Sequence, residues 1–82
     1  MDNETTNQKQ SLTDRDFKRL SKFIESELGI KMPDSKRIML ESRLHKRLKA
    51  LQMDNYETYC DYVFSQEGQE KELFQMINIV TT

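Results

Sequence analysis

Phe17, Leu20, Ile24 and Leu28 recur at intervals of three and four residues, and Phe23 widens the stripe. That spacing predicts an amphipathic helix over 12–29. Its ends are signalled too. Thr13 is placed as an N-cap and Asp16 as the second half of a capping box, while Leu12 and Phe17 stand at the two positions of a hydrophobic staple. Gly29 follows the last apolar residue and suits a left-handed helix end, with Ile30 where a closing apolar contact is expected. Pro33 marks a connector. Leu40, Leu44, Leu48 and Leu51 then fall on one narrow arc and predict a second helix over 34–51. A turn at 53–55 leads into a third helix, capped by Asp54 or Asn55 and ending near Ser65. Its apolar residues are Tyr56, Tyr59, Cys60, Val63 and Phe64. Residues 66–69, with Gly68, read as a break. A fourth helix carries Leu73, Phe74, Ile77 and Val80 on one side. The short run 76–80 also fits a strand, but its continuity with Leu73 favours helix. The expected fold class is all-α, a small four-helix bundle with short connections.

Length and ends refine this picture. With 82 residues the chain is one small domain at most. The polar, aperiodic residues 1–11 are expected to form a disordered arm, and 12–80 the folded domain. The chain stops on INIVTT with no glycine, proline or charged tail to close the last helix. Residues 81–82 are therefore expected to begin a linker to a second domain. No apolar run approaches the roughly 20 residues that cross a membrane, and the N-terminus lacks the apolar core of a secretion signal. The single cysteine, Cys60, forms no internal disulfide, which fits a reducing cytoplasm.

Charge changes the picture most. The formal net charge is −1, yet 34–51 holds six basic residues against Asp34 and Glu41, a net of +4. The rest of the chain then carries −5. On the helical wheel, Arg37 and Glu41 sit beside the leucines one turn apart, where they are expected to pair. Lys36, Arg43, Lys46, Arg47 and Lys49 are assigned to the opposite side. The simplest account is a solvated helix face, since Lys and Arg are good helix formers. Against it, the face has almost no compensating acid, and like charges at such spacing repel. That imbalance points to an acidic partner. Nucleic acid is one candidate. Its counter-signs are a pI near 5.8 and no exposed Asn or Gln on this helix to read adenine. An anionic membrane is weaker, because only Met39, Ala50 and Ile38 are there to insert. An acidic protein surface remains.

Other candidate chemistry is sparse. His45, the only histidine, lies on the exposed side with no second ligand spaced for zinc. Cys60 is placed as a small core residue with no base near it in sequence. Asp14 and Asp16 are explained by capping and the helix dipole. Two of Tyr56, Tyr59 and Tyr62 are expected to be packed, and no basic groove surrounds them for base stacking. The sequence shows no glycine-rich phosphate loop, Ser–His pair or metal cluster.

Three blocks together carry a family resemblance. They are the first helix ending in Leu28-Gly29-Ile30; Lys36-Arg37 followed by Arg43-Leu44 and Lys46-Arg47-Leu48; and the closing Thr81-Thr82. In this order and spacing, covering nearly everything after residue 11, the chain resembles the N-terminal domain of the CheR family, the chemoreceptor methyltransferases of bacterial chemotaxis. The resemblance implies a parent enzyme that transfers the methyl group of S-adenosylmethionine to chemoreceptor glutamates. It also implies a helical domain joined to a catalytic α/β domain. By position, Arg43, Lys46, Arg47 and Lys49 match the basic face that meets the receptor's acidic methylation region. The implied partners are the chemoreceptor cytoplasmic domain and the enzyme's own catalytic domain, with no nucleic acid and no membrane insertion. By the same resemblance the paired threonines precede the first cofactor contacts, so these 82 residues are expected to be inactive alone and to hold no cofactor. The chain departs from the family at Gln52, where a glycine usually follows the basic helix. A glutamine held at positive φ costs on the order of 1 kcal/mol.

Overall fold

The computed structural model describes residues 11–81. The arm expected over 1–11 lies outside these residues except for Ser11, and Thr82 lies outside them as well. In chain order the described residues form α1 (Asp14–Leu28), a 3-10 turn (Asp34–Lys36), α2 (Arg37–Ala50), α3 (Tyr56–Val63), α4 (Gln66–Lys71) and α5 (Leu73–Thr81), with no strand among them. The class is all-α, as the periodicity predicts. Helix α1 packs on α3, α3 on α4, α4 on α5, and α5 on α2.

α1 begins where its cap predicts. Thr13 Oγ1 accepts from the Asp16 backbone N–H at 3.2 Å. The return half of the capping box is replaced, because the Asp16 carboxylate accepts from Arg19 at 3.3 Å instead. Leu12 and Phe17 are both buried, so the staple positions reach the core. Gly29 takes φ 71° and closes α1, its N–H donating to Glu25. Ile30, where the closing apolar contact is expected, stands exposed.

The segment 66–69 is helical rather than a break. Ser65 caps α4 through its Oγ, which accepts from the Gly68 N–H at 3.1 Å. Gly68 is there for space, not flexibility: a Cβ added to it would stand 1.7 Å from the Tyr62 carbonyl oxygen. The expected stripe of α5 also shifts. Met76 and Val80 are buried, Leu73 and Ile79 pack against them, and Phe74 is 70% exposed. At 100° per residue, Phe74 lies far round the helix from Met76 and Val80, so a face cannot bury all three. Thr81, expected in the linker, is the last residue of α5, and its hydroxyl donates to the Ile77 carbonyl at 2.7 Å.

The core is one cluster. Leu20, Ile24, Leu40, Leu44, Tyr59, Cys60, Val63 and Met76 are fully buried in it. The turn after α2 completes the frame. Gln52 adopts φ 58°. The Met53 N–H donates to Leu48 at 2.9 Å and the Gln52 N–H to Lys49 at 3.2 Å, the bonding pattern of a Schellman helix end. The helix thus closes in the left-handed geometry that favours glycine, with glutamine in its place. Gln52→Gly is expected to raise unfolding stability by about 1 kcal/mol, measurable by urea denaturation. An unchanged or lower midpoint would show that Gln52 is not strained.

Candidate functional site

Helix α2 divides its residues by what they reach. Leu40, Leu44 and Leu48 face inward and are buried. Arg37 stands beside them and does not pair with Glu41. It pairs with Asp14, donates to the Leu12 carbonyl at 2.9 and 3.3 Å, and lies 5.4 Å from the Phe17 ring centre. It ties the start of α2 to the start of α1.

Arg47 also departs from the sequence expectation. It lies at the edge of the leucine arc, not opposite to it. Its guanidinium makes two 2.7 Å hydrogen bonds to Glu72, whose side chain is 2% exposed. The Tyr59 hydroxyl donates to the same carboxylate at 2.8 Å. Hydrogen bonding to Glu72 raises the Arg47 pKa, so the guanidinium stays charged. Burial, and then the carboxylate, push the Tyr59 phenol well above its ordinary value, so it stays a donor. Charged, bidentate and fully partnered, this triad joins α2, α3 and the α4–α5 junction. Arg43 is half-buried and donates to the Val80 carbonyl at 2.9 Å, satisfying one of the orphan acceptors in the last turn of α5.

Lys46 and Lys49 differ from both arginines. They are exposed and make no hydrogen bond or ion pair within the described residues. The four predicted site residues thus separate. Arg43 and Arg47 point into the fold, and Lys46 and Lys49 present charge to solvent. Tyr59 is read from the sequence as a packed residue of the third helix, which it is, but without a polar partner, and Glu72 is not named there. The signal was present: Glu72 precedes Met76 and Val80 at intervals of four, so it lies on the buried line of α5.

Beside the lysines runs an open groove of about 540 Å³, lined by Ile38, Glu41, Ser42, His45 and Tyr56. The Tyr56 hydroxyl donates to the Glu41 carbonyl at 2.8 Å. Cys60 is fully buried, and burial pushes its thiol up to about 12, which leaves it a neutral packing group. Among the described residues no group of His, Cys, Asp and Glu is arranged to hold a metal, and no helix is long and apolar enough to cross a membrane.

Comparison with known proteins agrees with this architecture. The family model described as the all-α domain of CheR methyltransferase matches residues 15–81. A chemotaxis protein methyltransferase of Salmonella typhimurium strain LT2 is 36% identical over 76 residues, covering 92% of this chain. The chain spans about a quarter of that relative, 26% of its length. No solved structure matches. The helical order, the closed core and the family match together show that the chain belongs to the CheR methyltransferase family and carries its all-α domain.

Proposed function

We propose that this domain recognises the acidic, helical methylation region of a bacterial chemoreceptor. It does so for a cytoplasmic protein-glutamate O-methyltransferase that uses S-adenosylmethionine and whose catalytic domain is the domain's second partner. The observation that carries this reading is the contrast on α2. Arg37 pairs with Asp14 at the surface and Arg47 with the buried Glu72, whereas Lys46 and Lys49 are exposed with no acid partner among the described residues. Two unpartnered cations on a rigid helix supply a field that steers an acidic partner and orients it on arrival. Arg43 and Arg47 support the surface by holding α2 against α5 and its junction with α4, and Arg43, bound to a carbonyl rather than an acid, adds its charge to that field. A nucleic-acid partner is disfavoured, because these two arginines, the groups best shaped for guanine, are engaged elsewhere.

The groove on α2 is open to solvent and contains an acid at Glu41. It does not enclose a cofactor, and S-adenosylmethionine is not assigned to these residues. Methyl transfer belongs to the catalytic domain that the family implies.

The test is Lys46→Ala/Lys49→Ala in the full-length protein. KM for receptor is expected to rise about tenfold, with kcat, S-adenosylmethionine binding and the unfolding midpoint unchanged. Unchanged receptor methylation, or a lowered midpoint, would count against recognition. A lowered midpoint would instead favour a basic face that packs on the enzyme's own catalytic domain.

A further inference from the structure

A helix leaves its last carbonyls without intrahelical donors. They are ordinarily met by water, by a closing turn or by a basic side chain of the same turn. α5 has no basic residue in its last turn. Its donor comes from another helix: Arg43 of α2, 37 residues away in sequence, donates to the Val80 carbonyl at 2.9 Å. A cation there also suits the negative end of the helix dipole. The Val80 side chain is 4% exposed, so this residue is held from two sides, by core packing and by the guanidinium. Thr81, next in the chain, turns its hydroxyl back to the Ile77 carbonyl at 2.7 Å. The end of α5 is thereby fixed against α2.

This turn is also where the chain leaves the domain. The match to the family's all-α domain runs over residues 15–81, so that domain's boundary coincides with the end of α5. The chain spans 26% of the related methyltransferase. In an enzyme of that length, whatever follows the all-α domain sets out from the last turn of α5. Lys46 stands three residues after Arg43 on α2, about one helical turn on. Arg43 therefore links the helix that offers charge to the point where the chain departs.

We propose that Arg43 is a positioning residue for methyl transfer, acting through the end of α5 on the placement of the domain that follows. This rests on the reading of the parent protein as a receptor methyltransferase. With the Val80 carbonyl held, substrate captured at Lys46 and Lys49 meets the catalytic domain at one distance and angle. Without the guanidinium the last turn of α5 opens, and captured substrate is presented in many orientations. A misplacement of about 1 Å can cost on the order of 100-fold in rate. The loss falls on kcat, while capture stays with the lysines. The role assigned to Arg43 from the sequence, direct contact with substrate, would instead fall on KM.

The experiment measures receptor methylation by full-length Arg43→Met and Arg43→Lys, beside Lys46→Ala/Lys49→Ala. Methionine fills the space of the stem without a donor, and lysine keeps a charged donor of shorter reach. Arg43→Met is expected to lower kcat about tenfold, with KM for receptor changed by less than about twofold. Hydrogen exchange at the amides of 78–81 should quicken with it. Arg43→Lys should recover most of kcat. A raised KM with kcat unchanged would make Arg43 a substrate contact and overturn the proposal. So would a lowered kcat with unchanged exchange at 78–81, or a lowered unfolding midpoint with kcat per folded enzyme unchanged. If the lysine variant raises KM while Arg43→Met leaves kcat unchanged, positioning fails and the recognition reading stands. If Arg43→Met lowers kcat and quickens exchange while the lysine variant has no effect, positioning is upheld and the recognition reading fails.

Discussion

Gly68→Ala is expected to lower the stability of this domain by about 3 kcal/mol, the upper part of the usual range for overpacking. The sign is opposite to the ordinary one. In an open helix, alanine for glycine gains about 1 kcal/mol. Here the new methyl would stand 1.7 Å from the Tyr62 carbonyl oxygen and 2.8 Å from the Val63 Cα. Both are backbone atoms at the end of α3, so no side chain can swing away to make room. The helices must separate, and the Ser65 cap that joins them is strained with them. A domain of this size has roughly 4–12 kcal/mol in all, so the loss is a large share of it. Thermal unfolding should move down by about 15 °C. A midpoint equal to or above that of the unmodified chain would show that α4 does not pack this closely on α3.

Arg47→Met is expected to cost about 3–5 kcal/mol, because it leaves the Glu72 carboxylate buried without its cation. Glu72 is 2% exposed, and Tyr59 alone remains to donate to it. Arg47→Met/Glu72→Leu removes both charges and should recover most of that loss, since a buried pair is often no more stable than an apolar replacement. Tyr59→Phe should cost less, about 1 kcal/mol, as a single lost donor. A double-mutant cycle by urea unfolding measures the Arg47–Glu72 coupling directly. Additive single-variant effects would mean that the pair contributes nothing beyond its separate residues.

These two results concern residues that the sequence displays but does not explain. The leucine line of α2, the Thr13 cap and the Gly29 end were legible because each rests on contacts within a few residues. Gln52 was legible as a non-glycine at a position that calls for glycine, and the structure keeps it at φ 58°. Gly68 was misread because a glycine that breaks a helix and one that admits a neighbouring backbone look alike until the neighbour is placed. Phe74 was put in the core and Met76 left out because two apolar arcs on α5 overlap, and only α2 and α4 decide between them. The arginines were misplaced for a similar reason. A long side chain at the stripe edge can reach inward when another helix offers an acid or a carbonyl, as Glu72, Leu12 and Val80 do. The edge position of Arg47, about 20° from Leu40 at 100° per residue, is on the wheel, but the partners that draw these side chains inward belong to other helices and are not.

The candidate site follows the same division. A basic excess on α2 was plain in the sequence, but its division into held and offered charge was not. Arg47 and Lys46 are adjacent, yet one is paired inside the fold and the other faces solvent. Variants at these two positions should therefore fail differently, Arg47→Met through stability and the lysines through partner binding.

The most direct measurement is kcat/KM for receptor methylation as a function of ionic strength, in the full-length protein and in Lys46→Ala/Lys49→Ala. Recognition by offered charge predicts a steep fall with salt in the unmodified protein and a lower, flatter curve in the variant, the two converging at high salt where both fields are screened. Parallel curves of equal height would contradict it, and the basic helix would then have no part in finding the substrate.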